Sequence, residues 1–180
     1  GTLADGAMLW RLSGRDREPV PLTYPKLSGA RSAAVAVAPD GSYLVAASKA
    51  GEVVVWPLTG SGAGAPTVID SGLGYISCVT ISPGSGLVAV MGYGGKKASI
   101  LRAGPAGALT PLSQVDAVDA QMGVFTADSK ALVIALAANS VDVWSGVDQA
   151  SPAKASTITG FDTATIAITA APDAQQIAVG

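Results

Sequence analysis

Ala33-Ala-Val-Ala-Val-Ala-Pro-Asp-Gly41 is an alternating apolar run that stops at a turn, and the chain writes it again. Ser77-Cys-Val-Thr-Ile-Ser-Pro-Gly84 and Gly123-Val-Phe-Thr-Ala-Asp-Ser129 repeat the pattern. Thr165-Ile-Ala-Ile-Thr-Ala-Ala-Pro-Asp173 begins the same unit a fourth time. The steps between turn positions are 44 residues (Pro39 to Pro83), 44 (Pro83 to Ala127) and 45 (Ala127 to Pro172). Period-two alternation with β-branched residues argues for strands. A fixed period in this range is the mark of an all-β fold built from repeated sheets, the β-propeller.

Each unit carries four strand signals. The first is the quoted run, over 33–38, 77–82, 122–127 and 165–170. Pro, Asp, Gly and Ser then supply hairpin turns, because they fix φ or tolerate positive φ. Second strands follow at 43–47, 87–91, 131–136 and 176–179, with small residues suited to sheets packed face to face. Third strands end in a large residue at Trp56, Leu101, Trp144 and Trp10. Fourth strands, over 20–23, 67–70, 109–112 and 156–159, are polar or contain proline, as solvent-facing edges do. Residues 60–66 and 103–107 read as loops inside a unit.

The two ends are complementary halves. Residues 161–180 offer first and second strands, and residues 1–24 offer third and fourth. Whole units occupy 25–72, 73–115 and 116–160. This gives about four blade equivalents in one propeller region over 1–180. Gly1 reads as an internal cut, nothing at the start resembles a signal peptide, and the expectation is a part of a larger propeller.

Composition bounds the function. The net charge is −2 with no long run of one sign, so the basic face that nucleic acid needs is missing. The Lys96-Lys97 pair and the Arg11, Arg15, Arg17 group read as solvated loop charge. No apolar run approaches a membrane span, and no amphipathic basic stretch suggests a lipid surface. Cys78 stands alone, alternates with apolar neighbours and reads as a small core residue. The absence of disulfides points to an intracellular, cytoplasmic setting. With no histidine, these residues supply no imidazole ligand, base or triad.

Two motifs invite chemistry. Gly92-Tyr-Gly-Gly-Lys-Lys97 has a phosphate-loop flavour, but its spacing is wrong and a strand follows it, so it reads as a β-turn. It looks longer than its counterparts at 48–51 and 137–140, which makes it a contact loop. Asp116, Asp119 and Asp162 precede first strands. On one propeller face Asp119 and Asp162 would approach each other, as an acid/base pair or an oxygen site for a cation. The plainer reading is that they cap turns in solvent. No nucleophile elbow occurs.

Asp5-Gly-Ala-Met-Leu-Trp10, and Val35 to Gly41 with Gly51-Glu-Val-Val-Val-Trp56, resemble blades of the WD-repeat β-propeller family. The resemblance spans the chain but is degenerate. Arg11, Pro57, Arg102 and Ser145 replace the aspartate that usually follows the tryptophan, and the Gly-His pair is missing. The family's buried Asp–His–Ser–Trp network therefore cannot form. Blade stability falls to apolar packing, with Trp10, Trp56 and Trp144 each contributing on the order of 2–3 kcal/mol on burial.

The resemblance implies a non-catalytic scaffold for other proteins, with no cofactor and no metal, set within a larger protein or assembly whose further blades adjoin these. Its partner face would carry Arg31, Tyr75, Asp119 and Asp162 from fourth-to-first loops. Asp5, Lys49, Tyr93, Lys96, Lys97 and Asn139 join them from second-to-third loops. Arg31 and Tyr75 lead because Arg and Tyr are enriched at binding hot spots. The alternatives are a propeller hydrolase of lactonase or glycosidase type and the sensor lobe of a signalling NTPase, since fold does not decide function.

Overall fold

The computed structural model describes residues 6–10, 19–24, 32–48, 50–60, 62–84, 86–163, 167–173 and 176–180. The fold is all-β and of propeller type, built from antiparallel sheets that follow the sequence repeat. A two-stranded sheet comes first, β1 (Gly6–Leu9) with β2 (Val20–Thr23). The next sheet holds β3 (Ser32–Val37), β4 (Tyr43–Ser48), β5 (Glu52–Thr59) and β7 (Thr67–Asp70), with the short β6 (Gly62–Ala63) on β5. Two four-stranded sheets follow. One is β8 (Tyr75–Ile81), β9 (Leu87–Tyr93), β10 (Lys97–Ala103) and β11 (Leu109–Asp116). The other is β12 (Ala120–Phe125), β13 (Ala131–Leu136), β14 (Ser140–Ser145) and β15 (Ala153–Ile158). The pair β16 (Ile168–Ala170) with β17 (Ile177–Val179) ends the series.

First strands lie side by side, β3 against β8, β8 against β12 and β12 against β16. They gather at the axis while the fourth strands lie outside. Register repeats with the period: Leu44 faces Trp56, Val88 faces Leu101 and Leu132 faces Trp144 across the second and third strands. The hairpin turns do what their residues predict. Asp40 Oδ1 accepts from the Ser42 amide and hydroxyl, and Asp128 Oδ1 accepts from the Lys130 amide and the Thr126 hydroxyl.

Four apolar layers separate the five sheets. Period-two alternation sends successive residues of a central strand to opposite layers. Val88 and Val90 join Val45, Val53 and Val55 on one side, while Leu87, Ala89 and Met91 join Phe125, Leu132 and Trp144 on the other. Trp56 is buried against Ala7 and Leu22. Val133, Ala135 and Val141 meet Ile168, Ile177 and Val179. Trp10 departs from expectation: it is exposed, whereas its repeat equivalent Trp56 is buried.

Side-chain staples supplement these layers. Ser77 Oγ donates to Ala120 O at 2.8 Å, Ser99 Oγ to Ser71 O at 3.0 Å and Arg102 Nη2 to Asp148 O at 2.7 Å, each joining neighbouring sheets. Two of these three staples are serine hydroxyls and one is a guanidinium, all on backbone carbonyls.

Tyr43 is buried, and its hydroxyl has no hydrogen-bond partner among the described residues. Burial, and secondarily the charge of Asp40, push its pKa from 10.0 to about 12. A phenol whose folded value is raised supports the fold fully below the unfolded value and loses that support as pH climbs through the folded one. Ultraviolet titration is expected to show one of the four tyrosines ionising only near pH 12, with stability declining above pH 10. Four phenols titrating together in the folded protein would contradict this burial.

Candidate functional site

The face carrying the fourth-to-first and second-to-third connections is built by backbone bonds between loops. At one end Ser71, after β7, donates from its amide (3.1 Å) and hydroxyl (2.7 Å) to the carbonyl of Gly51, before β5. Asp119 is the other brace. It adopts φ 51°, a left-handed conformation that aspartate tolerates better than most residues. Its amide donates to Gly95 O, its carbonyl accepts from the Ala137 amide, and its carboxylate accepts from the Gly94 amide at 2.9 Å. One aspartate therefore fixes two second-to-third turns on neighbouring sheets. The solvated-cap reading of Asp119 is close to this, but the residue holds other loops besides its own.

Asn139 occupies φ 55° in the turn before β14, again a position suited to its side chain. Lys97 and Asp116 are directly opposite across β10 and β11 and form an ion pair at 2.6 Å. The Lys97 ammonium holds the Asp116 carboxyl below its usual range, first by hydrogen bonding and then by charge. Asp162 is exposed on the connection before β16. Arg31, Asp5 and Lys49 lie outside the described residues.

The turn at 94–96 corrects a sequence expectation. It has three residues, as do 49–51 and 137–139, and the extra length lies in β9, which continues to Tyr93. That extension puts Tyr93 directly opposite Tyr75, the first residue of β8. Directly opposed residues project on the same side of a sheet. A Cβ on Gly92 would lie 2.6 Å from the Tyr75 carbonyl, so glycine is what lets the strands approach here.

Tyr75 and Tyr93 are 40% and 53% exposed. Val118, also exposed, sits between Ala117, whose amide donates to Lys96 O, and Asp119, whose amide donates to Gly95 O. Lys96 is exposed and enters no ion pair among the described residues. Tyr75, Tyr93, Lys96 and Val118 thus form a patch of two rings, one cation and one aliphatic side chain on braced loops. Sequence reading selected three of these four and missed Val118, whose apolar character resembles that of core valines.

Among the described residues no group of three or more acidic, cysteine or histidine side chains is placed to hold a metal ion. Burial pushes the Cys78 thiol up, which weakens it as a nucleophile. A cleft of about 430 Å3 between β7 and β10–β11 is lined by Asp70, Ser71, Ser99 and Gln114 among others. Within it Ser99 donates to Ser71 O and accepts from Gln114, while the buried Ser113 hydroxyl has no partner among the described residues.

This geometry defines a β-propeller with a braced, aromatic-bearing face, and solved structures agree on the fold. The Cps50 (Swd1) β-propeller domain of Myceliophteria thermophila matches with TM-score 0.75 at 13% identity, over 98% of this chain and 60% of that one. A candidate 6-phosphogluconolactonase from Bacteroides uniformis matches with TM-score 0.73 at 12% identity, over 89% and 50%. A protein of unknown function from Desulfotomaculum acetoxidans matches with TM-score 0.67 at 15% identity, over 82% and 48%. The chain spans roughly half the length of these structures. No family model and no curated protein matches it. No helix among the described residues is long and apolar enough to cross a membrane.

Proposed function

We propose that this chain is a degenerate WD-repeat propeller acting as a non-catalytic platform for other proteins. The observation that carries the reading is the exposed Tyr75–Tyr93 pair, flanked by Val118 and Lys96, on loops tied down by Asp119. Aromatic side chains provide large contact area at little entropic cost, and rigid loops reduce the ordering cost of binding. The likeness to the Swd1 propeller domain is consistent with this reading.

The test compares proteins cross-linked to the wild-type chain with those cross-linked to Tyr75→Ala/Tyr93→Ala and to Arg31→Ala. Loss of the same partner from the double variant, by at least tenfold and with an unchanged unfolding midpoint, is the expected result. An undiminished partner set on a folded double variant would refute the patch.

A hydrolase remains the second reading, because a lactonase-type propeller is also a structural neighbour. It predicts turnover of 6-phosphogluconolactone that depends on Asp119 or Asp162. We expect none above the uncatalysed rate, given that the Asp119 carboxylate is held by the Gly94 amide.

A further inference from the structure

We infer that the cleft between the first two whole sheets is a receptor for an arginine side chain presented by another polypeptide. One wall is the end of β7, with Asp70, Ser71 and Gly72, and the other is β10–β11, with Leu101, Pro111 and Gln114. Both walls belong to whole blades. Its volume of about 430 Å3 falls in the usual range of ligand clefts, about 300–1,000 Å3.

The hydrogen bonds within the cleft fix the sign of its ligand. Most donors are committed: the Gly72 amide to Asp70 Oδ1, Ser71 Oγ to Gly51 O, Ser99 Oγ to Ser71 O and Gln114 Nε2 to Ser99 Oγ. Asp70 Oδ2 and Gln114 Oε1 are left as acceptors without a partner among the described residues. The unpartnered Ser113 hydroxyl accepts as readily as it donates. A phosphate or carboxylate entering here would meet the Asp70 charge with little to receive it. A donor-rich cation finds the complement.

Asp70 lacks the partner that its repeat equivalent has. It ends the fourth strand of its blade directly opposite Glu52, whereas in the next blade Asp116 stands opposite Lys97 and pairs with it at 2.6 Å. Like charges face each other where the second blade supplies its own cation, an unfavourable arrangement. Neither Asp70 nor Glu52 enters an ion pair among the described residues. Arginine suits the cleft better than lysine. Its planar fork can donate to Asp70 on one wall and Gln114 on the other, with its stem along Leu101 and Pro111. Residues 70–72 lead within three residues to Tyr75, so a chain held on the Tyr75–Tyr93 patch passes the cleft. The polypeptide source rests on the platform reading, and the cation site itself does not.

The test titrates the isotope-labelled 180-residue chain with acetyl-arginine methylamide and with its lysine and citrulline counterparts, followed by amide NMR shifts. Saturable shifts confined to residues 70–72, 99–101 and 112–114 are expected from the arginine compound, weaker ones from lysine and none from neutral citrulline. Asp70→Asn keeps an acceptor for the Gly72 amide and is expected to raise the dissociation constant about tenfold. Asp40→Asn, the same charge change at an exposed turn on the opposite face, should leave it unaltered. Gln114→Lys, which puts a cation of the chain's own into the cleft, should abolish binding with the unfolding midpoint kept. Shifts elsewhere, a response to citrulline equal to that of arginine, or wild-type binding by folded Asp70→Asn would overturn the site. Tighter binding of free arginine than of the capped compound would overturn the polypeptide source. None of these readouts uses Tyr75 or Tyr93, so the cleft and the patch can fail separately.

Discussion

Replacing Gly51 by alanine is expected to cost about 2–5 kcal/mol of folding stability, although it adds one methyl group. Gly51 is buried and holds φ +89°, where an L side chain is strained. A Cβ there would overlap the backbone carbonyl of Leu73 and stand 3.1 Å from that of Gly74. Backbone atoms cannot rotate away as a flexible side chain does. Relief would require moving the 71–74 connection, and with it the two bonds from Ser71 to the Gly51 carbonyl, one of them buried.

Left-handed strain accounts for about 1–2 kcal/mol and a weakened buried hydrogen bond for about 1–3 more. Domains of this size have only about 5–15 kcal/mol in total. Gly41 is the internal control. It too has positive φ, +71°, but nothing lies within 4 Å of its would-be Cβ. Alanine there is expected to cost only about 1 kcal/mol. Urea midpoints of the two variants measure the difference, and equal midpoints would dismiss the argument from close approach. The result bears on function because Gly51 ties one side of the face that carries the Tyr75–Tyr93 patch.

Much of this fold was legible because its determinants are local and repeated. Turn residues at Pro39–Gly41 and Pro83–Gly84 set hairpins, and alternation at 43–47 and 87–91 set which residues enter which layer. What escaped reading depends on relations between distant segments. Trp10 has the sequence of a core tryptophan yet is exposed, because burial is decided by what packs on a side chain and not by its place in the repeat. The length of β9 escaped because strand pairing converted Gly92 and Tyr93 from loop to ladder. Register shifts at Ile76/Cys78 and at Ala120/Met122 are likewise invisible in composition. At the candidate site, loop position is what selects Tyr75, Tyr93, Lys96 and Asp119 for attention, whereas the bracing role of Asp119 rests on its φ and on partners 24 and 25 residues away.

The second large effect concerns a buried carboxylate that repeat logic marks as exceptional. Asp142 is 2% exposed on β14, where the equivalent positions carry Val54 and Ser99. Its Oδ2 accepts from Lys154 Nζ and its Oδ1 from Thr157 Oγ1, both at 2.6 Å. Lys154 lies 5.3 Å from the Trp144 ring centroid, so the same cation is shared between carboxylate and ring. Its side chain is 41% exposed, which lets it return to water, an exit that Asp142 lacks.

The asymmetry dictates unequal outcomes. Lys154→Met leaves a buried charge with one neutral donor and is expected to cost about 2–3 kcal/mol, reduced from the fully buried case by solvent access to the lysine. Asp142→Val frees a lysine that hydrates readily, and the sheet accepts valine at Val54, so the expected cost is about 1 kcal/mol or less. With both replaced, stability should return to within about 1 kcal/mol of wild type, because the charge and its partner leave together. The coupling from this double-mutant cycle, read from denaturant unfolding, is then at least about 1 kcal/mol. If Lys154→Met proves no more costly than Asp142→Val, the carboxylate is solvated well enough without its cation, and apolar layers together with hydroxyl staples hold this blade.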